Sequence, residues 1–391
     1  MEDEDKMEFR TIKELCDLVV DCPHSTPAWT EQGKIVIRNN NIKNGKIDLS
    51  SPSFTDDEHF TQRTKRAIPK AGDIVITREA PMGEVGMIPE KVECCLGQRM
   101  VLLRVNNQLC DNYYLLYSLQ SSIVQQQISW SMGTGTTVSN LRIPHLEQIR
   151  VPYVPLDKQR QISSVLCAIE EKIDNNSKVN DNLQQQAAAL FSSLYNRSNT
   201  EVRYTDLIQI LGGGTPKTGE TAYWNGNIAF FTPKDVGTPY TFITEKTITE
   251  EGLSHCNSRL YPVNTVFVTA RGTVGKVGLS GVPMAMNQSC YALVGRETHQ
   301  LLVYFYTLKV VDRLKHKASG AVFDAITTRD FESEQIMKLS DDDGRAFLCV
   351  AEPMFQEILN NSIENLRLST LRDFLLPKFM SGEIDISNIQ F

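Results

Sequence analysis

The same order of residues occurs twice along this chain, and any fold it adopts has to accommodate both copies. Ile74-Val75-Ile76-Thr77 is matched by Val266-Phe267-Val268-Thr269, and the turn Gly83-Glu84-Val85-Gly86 by Gly275-Lys276-Val277-Gly278, both at an offset of 192. Upstream, Asp17-Leu18 and Thr26-Pro27 match Asp206-Leu207 and Thr215-Pro216 at 189. Downstream, Gln98 meets Gln288 at 190, and Gly135 and Leu141 meet Gly320 and Ile326 at 185. An offset that drifts by a few residues is what loop insertions between conserved elements produce.

The 391 residues suit two domains rather than one, and 41% hydrophobic content gives each a core. Each copy reads as short β-branched and aromatic runs broken by Gly, Pro, Asn and Asp. The runs are 34–38, 73–77, 100–105, 228–231 and 265–269, with helices expected near 112–127 and 299–317. The class is mixed α+β. No apolar run is long enough to span a bilayer, and the acidic residues 1–10 lack the order of a signal peptide. Nine scattered cysteines without a CxxC predict reduced thiols in a cytoplasmic protein and no zinc site. The net charge of −7 argues mildly against a nucleic-acid partner, although a basic face can sit on an acidic whole.

After Pro155 the pattern changes. Ile162, Leu166, Ile169 and Ile173, then Leu183, Ala187, Leu190 and Leu194, step by four and three, with Asn176 and Asn180 at the polar centre. This is a coiled-coil seam. At offset 185 it recurs as Phe347, Ala351, Met354, Ile358, Asn361, Asn365, Leu368, Arg372, Leu375 and Phe379. Antiparallel packing of the two helices would set Asn176 against Asn365 and Asn180 against Asn361, which fixes register. Pro353 predicts a kink or a helix that starts near Glu352, with 347–350 in a separate turn. A helix over 156–195 would be about 60 Å long and would act as a stiff spacer. The expected layout is a first globular unit at 8–153, a helix at 154–197, a second unit at 198–340 and a second helix at 341–383.

Catalytic signatures are missing from the sequence. Residues 271–277 have the wrong spacing for a P-loop, and there is no HExxH, GxSxG or glycine-rich dinucleotide fingerprint. Recognition and scaffolding are the expected roles. An enzyme with an unrecognised site and a protein-binding scaffold without a DNA role stay open.

The chain resembles the specificity (S) subunit of type I restriction–modification systems. The stretch Val154-Pro155-Leu156-Asp157-Lys158-Gln159 looks like that family's Pro-Leu-x-x-Gln opening of a spacer helix. Gly213-Gly214-Thr215-Pro216-Lys217, Arg271 to Gly278 and Met286-Asn287-Gln288-Ser289 are similar to parts of its target recognition domains. Leu375 to Ile384 is similar to its C-terminal end. The second copy departs from the pattern, with Asp343-Gly344-Arg345-Ala346 in place of the motif, so the two ends are expected to differ where partners dock. The resemblance implies two target recognition domains separated by two long antiparallel coiled-coil helices with pseudo-twofold symmetry. It also implies a non-catalytic subunit for phage defence that reads a split site on double-stranded DNA, one domain per half. Two modification (methyltransferase) subunits would dock on it and carry S-adenosylmethionine for adenine methylation. A restriction subunit, when present, would use ATP and Mg. No cofactor is expected on this chain itself.

The residues expected at DNA are basic or polar side chains near strand ends and loops. In the first copy they are Arg38, Lys43, Arg63, Lys65, Arg66, Arg78 and Arg99, with the loop residues Thr134, Thr136, Thr137 and Ser139. In the second they are Lys217, Tyr223, Trp224, Lys234, Arg271, Lys276 and Ser319. Gln98 and Gln288 read as structural.

Overall fold

The computed structural model describes residues 7–130, 140–317 and 325–386. The chain divides into two compact units, Met1–Ile173 with Arg367–Phe391, and Asp174–Leu366. Helices Leu156–Tyr195 and Asp341–Ser381 each cross this division, so each unit holds a part of both.

In the first unit, Glu8–Thr11 pairs antiparallel with Arg150–Tyr153. A four-stranded sheet runs Cys16–Asp21, Met100–Val105, Ile74–Thr77, Val85–Met87. A three-stranded sheet orders Ser53–Thr55, Lys34–Ile37 and Cys94–Leu96, the last pair parallel. The predicted helix over 112–127 is broken into Asn112–Gln120 and Ser122–Trp130. Ser121 adopts extended backbone and its hydroxyl donates to Ser118 O (2.6 Å), which competes with continuation of the helix.

The second unit repeats this plan. Thr200–Arg203 pairs with Gln335–Lys338. Ile208–Gly212, Cys290–Gly295, Val266–Thr269 and Val277–Ser280 form the sheet, with Tyr240–Thr241 added as a fifth strand. Lys246–Ile248, Trp224–Phe231 and Met284–Met286 form the smaller sheet, again with one parallel pair. Helix Gln300–Lys317 is unbroken.

Backbone hydrogen bonds fix the equivalence of the copies. Ile12 N donates to Ile149 O and Asn106 N to Leu15 O; Tyr204 N donates to Glu334 O and Arg296 N to Leu207 O. Leu207 is therefore the counterpart of Leu15, not of Leu18. The Asp17-Leu18 match at offset 189 was a chance dipeptide three residues out. Thr26 and Thr215 do correspond, each meeting its own glutamine: Gln98 Nε2 donates to Thr26 Oγ1 (3.1 Å), and Thr215 Oγ1 donates to Gln288 Oε1.

The long helices bury their stripes in the unit cores. In the first unit Ile162, Leu166, Phe379 and Met380 join the core of Ile74, Val101 and Tyr114. In the second, Ala187, Phe191, Leu194, Phe347, Ala351, Phe355 and Ile358 are buried. Phe191 and Phe355 are buried beside the expected Leu190 and Met354, which pack half-buried against the same core, because the stripe is wider than a strict seam. Phe191 stacks on Phe305 and meets Tyr306 and Phe347 edge-on. Asn176 donates to Asn365 Oδ1 (2.9 Å) and to Glu364 Oε2 (2.7 Å), and Asn361 donates to Asn180 Oδ1 (3.0 Å).

Pro353 neither starts nor ends the second helix, which runs unbroken from Asp341 to Ser381. The proline removes the donor for the Cys349 carbonyl, but Cys349 is exposed and water can serve it. Burial of Phe347 and Ala351 before the proline, and of Phe355 and Ile358 after it, keeps both sides helical. Among the described residues no helix is long and apolar enough to cross a membrane.

Candidate nucleic-acid interface

Each unit presents an edge where the parallel pair of its smaller sheet meets the turn before the last strand of its larger sheet. Gly97 N donates to Ile37 O (2.7 Å) and Arg78 N to Arg99 O (2.7 Å) in the first; Asn287 N donates to Phe231 O (3.0 Å) and Ala270 N to Ser289 O (2.8 Å) in the second. These bonds make Arg38 equivalent to Thr232, Arg78 to Ala270 and Arg99 to Ser289.

In the first unit this edge is an open concavity lined by Trp29, Arg38, Asn39, Ala80, Gln98 and Arg99, among others. The Arg38 guanidinium lies over the Trp29 ring, 5.2 Å from its centroid. Arg99 is exposed, has a left-handed φ of +66°, and pairs through Nε with Glu79 (3.2 Å). Asn39 Nδ2 donates to Glu79 O (2.6 Å), whereas its Oδ1 is buried without a partner. Trp29, Asn39 and Ala80 escaped the sequence reading. The available signal was a tryptophan in the polar stretch 23–30, with no apolar neighbours at helix or strand spacing.

Two expected contacts are corrected. Arg63 is 6% exposed and donates to Leu96 O (2.8 Å), Ser25 O (2.7 Å) and Pro23 O (3.1 Å). Arg78 is 8% exposed; it donates to both carboxylate oxygens of Asp21 (2.8 Å each), to Leu141 O (2.9 Å) and to Asn140 Oδ1 (3.1 Å). With those donors committed inside the fold, neither guanidinium is available to a base or phosphate. Both buttress the concavity instead: Arg63 clamps the segment that leads to Trp29, and Arg78 braces the turn at Arg99.

Lys43, Lys65, Arg66, Lys217, Lys234, Arg271 and Lys276 are exposed. Lys234 lies 3.5 Å from Glu245. Tyr223 is half-buried and stacks on His255. Trp224 packs edge-on against Phe230, and its Nε1 donates to Lys217 O (3.2 Å). Gly213, from the Gly-Gly-Thr-Pro motif, has a packing role: a Cβ there would sit 2.2 Å from Asn287 O. Thr134, Thr136, Thr137, Ser139 and Ser319 lie outside the described residues.

Burial pushes the thiols of Cys94 and Cys290 up to about 12 and that of Cys95 up to about 11, so they stay neutral and poorly nucleophilic near pH 7. Among the described residues no three His, Cys, Asp or Glu side chains are grouped to hold a metal ion.

The family described as type I restriction modification DNA specificity domain matches residues 4–185 and again 196–338. The type I restriction enzyme MjaIX specificity subunit of Methanocaldococcus jannaschii is 22% identical over 351 residues, covering 83% of this chain and 80% of that one. The EcoR124I/EcoR124II specificity subunit of Escherichia coli is 35% identical over 100 residues, 24% of each chain. The crystal structure of a type I restriction–modification S subunit from M. genitalium covers 97% of both chains with a TM-score of 0.63 and 17% identity, which shows a shared fold. With two matches that together span most of its length and two copies of one binding frame, the chain belongs to the type I restriction–modification DNA specificity family, as a specificity subunit and not a catalytic one.

Proposed function

We propose that this chain reads a bipartite site on double-stranded DNA, each unit taking one half, while the length of the two long helices sets the number of unread base pairs. Half-sites on one face of B-DNA recur every ~34–36 Å, a span suited to a stiff helical element. Two modification subunits dock on this scaffold and bring S-adenosylmethionine for adenine methylation. A restriction subunit with ATP and Mg joins where the system has one. These subunits also contribute phosphate contacts, which accommodates a specificity chain with a net charge of −7. The assembly works in the cytoplasm, where the DNA is.

One observation carries this reading: a single backbone frame occurs twice with different side chains at its edge, Arg38 and Arg99 in one copy, Thr232 and Ser289 in the other. Constant backbone with varied decoration suits two readers of two different sequences. The test is to map methylated adenines genome-wide with and without this gene. A bipartite motif that disappears on deletion supports the reading, and unchanged methylation refutes it. Exchanging residues 8–150 for a relative's unit should change one half of the motif only.

A further inference from the structure

The concavity of the first unit has a chemistry specific enough to name what it reads. We infer that Arg38, held on the Trp29 ring, reads the guanine of a G·C pair from the major groove; this assignment rests on the DNA-reading function proposed above. A guanine edge offers two acceptors, O6 and N7, which match the two parallel donors of a guanidinium. Arg38 is exposed and has no ion pair among the described residues; the one hydrogen bond of its guanidinium is a long 3.4 Å contact to Ser53 Oγ. Its planar fork is therefore available for a ligand, and the tryptophan ring orients it without using its donors.

Asn39 holds the edge in place. The amide of Asn39 has its Nδ2 engaged by Glu79 O and its Oδ1 buried, so it fixes the backbone next to Arg38 and leaves the reading to the guanidinium. Arg99 lines the same concavity in a left-handed backbone conformation that disfavours any residue with a Cβ. Maintained next to a buried brace, Arg78, that conformation points to a role for the arginine at the edge. The equivalent edge of the second unit has Thr232 in place of Arg38, so it lacks this guanidinium fork and reads something else.

The experiment uses the complete complex. The chain is co-expressed with its modification subunits as wild type, R38A, R38K and W29A, and methylated adenines are mapped for each. The expected wild-type motif is bipartite. In R38A one half and the spacer persist, while preference for one guanine in the other half falls about ten- to hundredfold. R38K keeps the charge without the planar fork and falls in between. W29A loosens the same position by less. The inference is overturned by an unchanged motif in R38A, by relaxation at an A·T position, or by full recovery in R38K. It is equally overturned by uniform loss of methylation in an R38A protein that still melts like wild type, since a phosphate contact would behave that way. If R38A does not fold, R38K decides. A wild-type complex that gives no bipartite motif fails the broader function, whereas a bipartite motif indifferent to Arg38 fails this assignment alone.

Discussion

At the start of the first long helix Gln159 is fully buried. Its Oε1 accepts from Asp111 N (2.9 Å), and its Nε2 donates to Val154 O (2.8 Å) and Leu109 O (3.3 Å). At the start of the second helix Gly344 stands in its place, beside an open cleft lined by Arg296, His299, Leu302, Tyr306, Arg345 and Leu348. The sheet edges differ in the same way. Asp21, Arg78 and Asn140 form a partly buried polar network in one unit, and the corresponding positions in the other are Gly212, Ala270 and Ala325. All members of the network are missing together, so the second unit is left with no orphaned charge. Strand pairing and apolar burial therefore specify the common frame, and the polar staples are accessories that either copy can hold or lack as a set.

The largest effect should come from breaking the set unevenly. R78A strands the Asp21 carboxylate and should destabilise the first unit by about 3–5 kcal/mol. The triple variant D21G/R78A/N140A, which imitates the second unit, should recover much of that loss in urea unfolding; a triple as unstable as the single would refute the idea of a dispensable set. Next, Q159G should cost about 2–3 kcal/mol, from buried groups left unpaired and from glycine in a helix. The reciprocal G344A should stabilise by about 0.5–1 kcal/mol, because a Cβ at Gly344 meets only Leu302 Cδ1, at 3.7 Å. Thermal unfolding of both would show whether the two helix starts differ as described. The smallest effect concerns the turn beside the concavity. Ala80 has φ +46° where the second copy places Gly272 at φ +80°. A80G should stabilise by about 0.5 kcal/mol, read as a shift in the urea midpoint, by relieving left-handed strain.

Much of the architecture was legible because it rests on periodicity. The strand runs and the turns at Gly83 and Gly275 are local patterns, and the helix stripes repeat with a fixed step. Pro353 misled because helix propensity is a local cost that burial of Phe347, Ala351, Phe355 and Ile358 outweighs. The site was less legible. Whether an arginine faces solvent depends on partners far away in sequence: Arg63 is used by Ser25 and Leu96, Arg78 by Asp21 and Asn140, and no window around either residue contains them. Trp29 and Arg38 meet only once the smaller sheet is formed.

The two compact units differ in one more way, in how the chain is distributed between them. Residues 174–366 are contiguous, while the first unit takes Phe379, Met380 and Ile386 into its core from beyond them. Synthesis on the ribosome runs from the N-terminus, so the first unit emerges early yet waits with an unfilled core until the other has been made. At 5–20 residues per second that wait is on the order of 10–40 s. The first unit to emerge is thus the last that can finish folding, and it is the one a chaperone would have to guard.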